Sequence, residues 1–112
     1  MTLTVIVGCG KPTPRSSLSR SGKTGLLGAS LPVGAKLTQQ RGADPVYRDA
    51  AEFYSIPASM TDILAFFDEA MMADDWQKPD PDTNSSRFFT KGGKKLVVIA
   101  NVDGGTFSLS GQ

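Results

Sequence analysis

Ser59-Met60-Thr61-Asp62-Ile63-Leu64-Ala65-Phe66-Phe67-Asp68-Glu69-Ala70-Met71-Met72-Ala73-Asp74-Asp75-Trp76 is the stretch that decides the fold. Met60, Ile63, Leu64, Phe67, Ala70 and Met71 recur at helical spacing, which gives one apolar stripe along an α-helix. Phe66 lies near the edge of that stripe, and Asp68 and Glu69 flank it. Ser59 stands where a capping residue belongs, with Asp62 three residues later as in a capping box. Asp62 also sits near the positive end of the helix dipole. The helix is expected to end near Ala73-Asp74-Asp75, and Trp76, just past it, to fold back over the core. No other segment reads as a helix, so the stripe is expected to be the single cover of a sheet.

The flanking sequence supplies that sheet. On the C-terminal side, Gln77 to Ser86 is polar and contains Pro79 and Pro81, as a loop would. Arg87–Lys91 then turns through Gly92-Gly93 into Lys94–Asn101; two glycines accept the positive φ of a tight hairpin turn. Asp103-Gly104-Gly105 marks the next turn, and Thr106–Ser110 follows, with Phe107 and Leu109 on one face and Thr106, Ser108 and Ser110 on the other. On the N-terminal side, Val46 to Ile56 reads as a strand stopped by Pro57. Tyr47, Ala51 and Phe53 share one of its faces, Tyr54 and Ile56 the other. Lys36–Arg41 reads as an edge strand ended by Gly42 and Pro45, and Leu31-Pro32-Val33-Gly34-Ala35 opens the folded part. The expectation is a single α+β domain over 31–112, two-layered. One helix packs on a mainly antiparallel sheet of about five strands, in the order β-β-α-β-β-β. One sheet face meets the helix and the other meets water.

That order, with Pro32-Val33-Gly34-Ala35 at its start, the paired Phe66-Phe67 in the helix and Trp76 just beyond it, resembles an uncharacterised domain of small secreted or lipid-anchored bacterial proteins. The resemblance spans roughly residues 31–110. Members usually carry glycine before the tryptophan, where this chain has Asp75. The likeness implies no catalytic residues.

Charge divides the chain. Residues 1–43 contain Lys11, Arg15, Arg20, Lys23, Lys36 and Arg41 and no acid, a net +6, whereas residues 44–112 contain 6 basic and 11 acidic side chains, a net −5. Residues 10–30 combine Gly, Ser, Pro and Thr with four of those bases and read as a flexible basic linker. Within it, Ser21-Gly22-Lys23-Thr24 imitates a phosphate-binding loop, but Ser17 occupies the position of the first glycine. No aromatic residue is interleaved with the bases for stacking on nucleic-acid bases, so nucleic acid is not an expected partner.

Composition narrows the chemistry. The chain has no histidine, and so lacks the usual general base near neutral pH and the usual partner of a serine or cysteine nucleophile. Its one cysteine, Cys9, allows neither an internal disulfide nor a cysteine-based zinc site. The acidic pairs Asp74–Asp75 and Asp80–Asp82 fall at a helix end and in a polar loop, where both members are expected to be solvated and not to divide acid and base roles. Asp80-Pro81-Asp82-Thr83-Asn84 has oxygen ligands at alternate positions but lacks the central glycine and distal glutamate of a calcium loop. No catalytic residue, metal ligand or cofactor is expected.

Cys9 is the one candidate site residue. Ile6-Val7-Gly8-Cys9 resembles a bacterial lipobox, in which an aliphatic residue at −3 and a small one at −1 precede a cysteine. The resemblance implies transfer of diacylglycerol to the Cys9 thiol and cleavage before that residue. Residues 1–30 are accordingly expected to be a truncated signal with a flexible tether. A full secretory signal has a basic n-region, whereas no Lys or Arg precedes Cys9; a start upstream of Met1 would supply one. Acyl chains and a basic leader together would give two membrane-binding signals. The expected function is a non-enzymatic lipoprotein of the cell envelope, lipid-attached at Cys9, that presents a small binding domain to a protein or small-molecule partner. The alternative is an untethered binding or regulatory domain in the cytoplasm.

Overall fold

The computed structural model describes residues 17–43 and 49–112. In chain order they form β1 (Arg20–Thr24), a 3-10 turn (Leu26–Gly28), β2 (Ser30–Pro32), β3 (Lys36–Arg41), β4 (Ala50–Ser55), α1 (Met60–Ala73), β5 (Ser86–Lys91), β6 (Lys94–Ala100) and β7 (Thr106–Gly111). Strands β3 to β7 build an antiparallel sheet in the spatial order β3-β4-β7-β6-β5, while β1 and β2 pair separately. The fold is α+β. The expected order β-β-α-β-β-β holds within the larger sheet, with β3 at one edge, but the count of about five strands is corrected, among the described residues, to seven in two sheets.

Period-two alternation sorts the large sheet into two faces. Tyr54 lies opposite Phe107, Phe107 opposite Ala100, Leu109 opposite Val98, and Leu96 opposite Phe89. All seven are buried, and they form the floor of the core. α1 lies over them with Ile63, Leu64, Phe66, Phe67, Ala70 and Met71 inward. The Phe67 ring meets Phe107 edge-on at 5.2 Å between centroids, and Phe107 stacks on Tyr54 at 5.0 Å. Such aromatic pairs contribute roughly 0.5–1.5 kcal/mol each beyond the area they bury.

Both helix ends follow from local chemistry. Ser59 Oγ accepts the backbone N–H of Asp62 at 3.1 Å, as its position before the stripe implies. At the other end, Asp75 N–H donates to Met72 O at 3.2 Å and Trp76 N–H to Met71 O at 3.0 Å. This is the double closure of a Schellman motif, and it requires a left-handed residue between helix and tryptophan. Asp75 takes that conformation at φ 69. Trp76 and Met71 are both buried members of the core, so the closing hydrogen bond is made between two core residues.

The flexible linker expected over residues 10–30 is corrected from Arg20 onward, and α1 is not the single cover of the sheet. β1, the 3-10 turn and β2 form a hairpin beside the helix: Ala29 and Leu31 are buried in the core, and Leu18, Leu26 and Leu27 pack against it. The hairpin escapes a composition-based reading because β1 is polar and β2 is only three residues long. Arg20, Gly22, Lys23 and Thr24 are exposed, and the inward residues are few: Leu26 and Leu27 in the turn, then Ala29 and the short buried run Ser30–Pro32. Ser21-Gly22-Lys23-Thr24 is thereby part of a strand, followed by no long helix. Of the strand expected from Val46 to Ile56, 46–48 lie outside the described residues.

Candidate functional site

The second face of the large sheet carries Ala51 and Phe53 from β4, Ser108 and Ser110 from β7, Val97 and Ile99 from β6 and Phe88 from β5. Register sets them in two rows. Phe53 stands opposite Ser108, and Ser108 opposite Ile99; one step along, Ala51 stands opposite Ser110, Ser110 opposite Val97, and Val97 opposite Phe88. None of the seven belongs to the core cluster, which lies on the helix side. Ile99 is 44% exposed, and Phe53, Phe88 and Val97 are half-buried. This face therefore mixes apolar groups with a central column of serine hydroxyls.

At one end of the face lies an open cleft of about 350 Å³, lined by Thr38, Gln39, Phe53, Ile99, Asn101, Thr106 and Ser108 among others. The β3 edge forms one wall. There, register slips between Leu37 and Gln39, and Thr38 Oγ1 donates to Phe53 O at 3.0 Å. No lining residue is ionisable except Tyr54, whose ring stacks within the core. The lining can accept and donate neutral hydrogen bonds and cover an apolar surface.

Three polar clusters lie elsewhere, and each has a structural task. Glu52 Oε1 accepts the Tyr54 hydroxyl at 2.7 Å and the Leu26 N–H at 2.7 Å, which fastens the 3-10 turn to β4. A Cβ on Gly25 would come within 2.9 Å of both Glu52 Oε1 and the Tyr54 hydroxyl, so glycine is needed beside this junction. Burial, and then the hydrogen bond to Glu52 and its negative charge, push the Tyr54 hydroxyl well above its usual ionisation range.

The second cluster joins the hairpin to the helix end. Asp74 accepts Arg20 Nη1 at 3.1 Å and Ser30 Oγ at 2.9 Å, while Arg20 Nη2 donates to Ala70 O at 3.1 Å. Lys91 Nζ donates to Asp74 O at 2.7 Å. Burial alone would raise the Asp74 carboxyl; hydrogen bonds from Ser30 and Arg20, with the charges of Arg20 and Lys91, outweigh it and hold the group below the usual range. In the third, Lys78 contacts Asp82 at 2.7 Å and Asp68 at 3.2 Å, and Arg87 Nε contacts Asp68 at 3.0 Å. Burial works against the Lys78 charge, but the two carboxylates raise its ionisation range.

The acidic pairs noted in the sequence are thus split. Asp74 is bound to Arg20 and Ser30, whereas Asp75 forms the left-handed link to Trp76. Asp82 joins Lys78 and Arg87. Among the described residues, no three His, Cys, Asp or Glu side chains come together as a metal site, and no helix is long and apolar enough to cross a membrane. Cys9 lies outside the described residues. Sequence reasoning missed the cleft and the Glu52 junction. The signal for the cleft was Ile99 and Phe53, each out of phase with an adjacent core residue, Val98 and Tyr54 respectively.

No family model matches the chain, and neither a curated protein nor a solved structure matches it.

Proposed function

We propose that this chain is a non-catalytic binding domain tethered at the cell envelope through lipid on Cys9, with the outer face of the large sheet as its binding surface. The observation that carries the binding role is that face: Phe53, Phe88, Val97 and Ile99 are half-buried or exposed among the described residues, although the opposite face is sealed by α1 and the hairpin. A half-buried Phe53 and an exposed Ile99, flanked by serine, threonine and amide groups, suit a partner that offers an apolar surface with neutral hydrogen-bonding groups at its margin. The tether rests on the lipobox-like Ile6-Val7-Gly8-Cys9, with Gly10-Lys11-Pro12-Thr13-Pro14 as spacer.

Two experiments test the two halves. Metabolic labelling with a fatty-acid analogue in a bacterial host is expected to mark the full chain and to fail with Cys9→Ser. Labelling that persists in the variant, or is absent from the native chain, defeats the tether. For the face, a photo-crosslinking residue at position 99 is expected to give a discrete adduct in cells that disappears with Phe53→Ser. The same residue at position 80, in the polar loop, is the control. Equal adducts from both positions would remove the binding role.

A further inference from the structure

Two turns meet at the end of the large sheet where β3 and β7 begin. The β2–β3 turn, Val33-Gly34-Ala35, packs on the link between β4 and α1: a Cβ on Gly34 would lie 3.8 Å from Pro57 Cδ and 3.9 Å from Ile56 Cγ1. The β6–β7 turn, residues 101–105, packs on the same link. Gly105 O accepts the Ile56 N–H and Gly105 N–H donates to Ala58 O, each at 2.9 Å. Register closes the group, with Lys36 opposite Ser55 and Ser55 opposite Thr106. Among the described residues these turns carry the two most exposed large apolar side chains, Val102 at 69% and Val33 at 55%, and Leu37 follows on β3 at 48%. One exposed valine is ordinary on a protein surface, but three such side chains gathered at one end mark a contact. Val102 is not needed to close its turn, because Asn101 Oδ1 accepts the Asp103 N–H and Asn101 O the Gly104 N–H.

The chain enters the domain beside the first of these turns, where Val33 N–H donates to Ser19 O at 2.8 Å. Ser19 stands ten residues after Cys9, a reach of at most about 36 Å. The other end of the sheet lies about 20 Å further on, the length of the six-residue β4. α1 spans the same interval. Its cap Ser59 is at the turn end, since a Cβ on Gly104 would meet Ser59 Cα at 3.2 Å, and Lys91 reaches Asp74 O at the opposite end. Met72, 52% exposed, marks that far end. Charge at the turn end cancels: the two turns, the β4–α1 link and the start of β3 contain one base, Lys36, and one acid, Asp103.

We infer that the Val33 and Val102 turns, flanked by Leu37, form the bilayer-facing end of the domain and rest their apolar tips at the boundary between headgroups and acyl chains of the membrane that holds the Cys9 lipid. This rests on the tether proposed above and adds an orientation to it. A tether that ends beside Val33 brings this end to the bilayer first. The strands then stand off the membrane, and the outer face of the large sheet stays open to a partner. Binding of this kind scales with the apolar area buried at the interface. With one acid and one base at the contact, it is expected to form on neutral lipid and to resist salt.

The sole cysteine allows a test that does not depend on cellular acylation. The full chain is coupled through Cys9 to a maleimide lipid in phosphatidylcholine vesicles, with or without brominated acyl chains. A reporter is introduced by Val102→Trp or, as the control at the far end, by Met72→Trp; the native Trp76 is buried and common to both. The brominated lipid is expected to quench Val102→Trp severalfold more than Met72→Trp, in low and high salt alike. Adding Val33→Ser and Leu37→Ser to Val102→Trp is expected to remove most of that difference. Equal quenching of the two reporters, no quenching at position 102, or quenching abolished by salt would overturn the inference. So would a blue shift of uncoupled Val102→Trp that grows with protein concentration in the absence of vesicles, because a second copy would then cover this end. Failure of fatty-acid labelling in cells would sink the tether instead, and would leave the coupled-vesicle result standing.

Discussion

Trp76 donates its backbone N–H to Met71 O at 3.0 Å, across an Asp75 held at φ 69. A left-handed backbone costs a non-glycine residue roughly 1–2 kcal/mol, less for aspartate because its short side chain tolerates the region. Here that cost is met by two closing hydrogen bonds and by the burial of the Trp76 ring. Asp75→Gly is therefore expected to stabilise the domain by about 0.5–1 kcal/mol after its extra unfolded-state freedom is subtracted. Asp75→Val should destabilise it by about 1–2 kcal/mol. Urea unfolding checks both, with midpoints moving in opposite directions and the slope unchanged.

The junction between the 3-10 turn and β4 is expected to be the most sensitive polar site. Glu52→Ala leaves the Leu26 N–H and the Tyr54 hydroxyl without their acceptor, at a cost of about 2 kcal/mol. Glu52→Gln keeps an oxygen in place and should cost about half as much. Gly25→Ala should resemble Glu52→Ala, because its methyl group would press on the same oxygen atoms. Thermal melts of the three variants give the ranking, and a Glu52→Ala melt indistinguishable from the parent would show that the junction contributes nothing.

The helix and large sheet were legible because their signals are redundant. α1 announces itself through six apolar residues at helical spacing together with a cap at Ser59, and β7 through the alternation of Phe107 and Leu109 with serine and threonine. The β1–β2 hairpin has no such redundancy. Its fixed position comes from long-range polar contacts, Arg20 and Ser30 to Asp74 and Leu26 to Glu52, between residues 26 to 54 apart. Local pattern cannot reveal those. The cleft was hidden for another reason. Leu96-Val97-Val98-Ile99-Ala100 is apolar without a break and reads as buried on both sides, whereas only Leu96, Val98 and Ala100 face the core.

Tyr54 makes stability depend on alkaline pH. Its hydroxyl ionises above the ordinary value of 10.0 in the folded protein, chiefly through burial and then through Glu52. Below pH 10 the group is neutral in both folded and unfolded chains, and its contribution is complete. As pH rises beyond 10 the unfolded chain releases this proton first, so stability falls. Tyr54→Phe removes that slope while losing the bond to Glu52. The urea midpoint of the parent should exceed that of the variant at pH 8, and the gap should narrow by pH 11. A constant gap would show that Tyr54 ionises normally.

Asp74 supplies the opposite limb. Its carboxyl is held below the ordinary 3.8 because Ser30, Arg20 and Lys91 together outweigh burial. The folded state thus prefers the ionised form, and the stabilisation is complete above that pH. It is lost as pH falls from there through the lower folded value, where the folded chain also takes up the proton. Half-exposed Arg20 limits the magnitude, and Asp74→Asn is expected to cost about 1 kcal/mol at neutral pH. The gap between parent and variant should close by pH 2. Because both Arg20 and Ser30 belong to the hairpin, the damage should be local. Amide exchange of β1 and β2 should accelerate in Asp74→Asn at pH 7, while β6 and β7, paired on both sides in the large sheet, keep the protection of global unfolding. Uniform acceleration across all seven strands would mean that the hairpin is a full part of the cooperative core and not a layer fastened onto it.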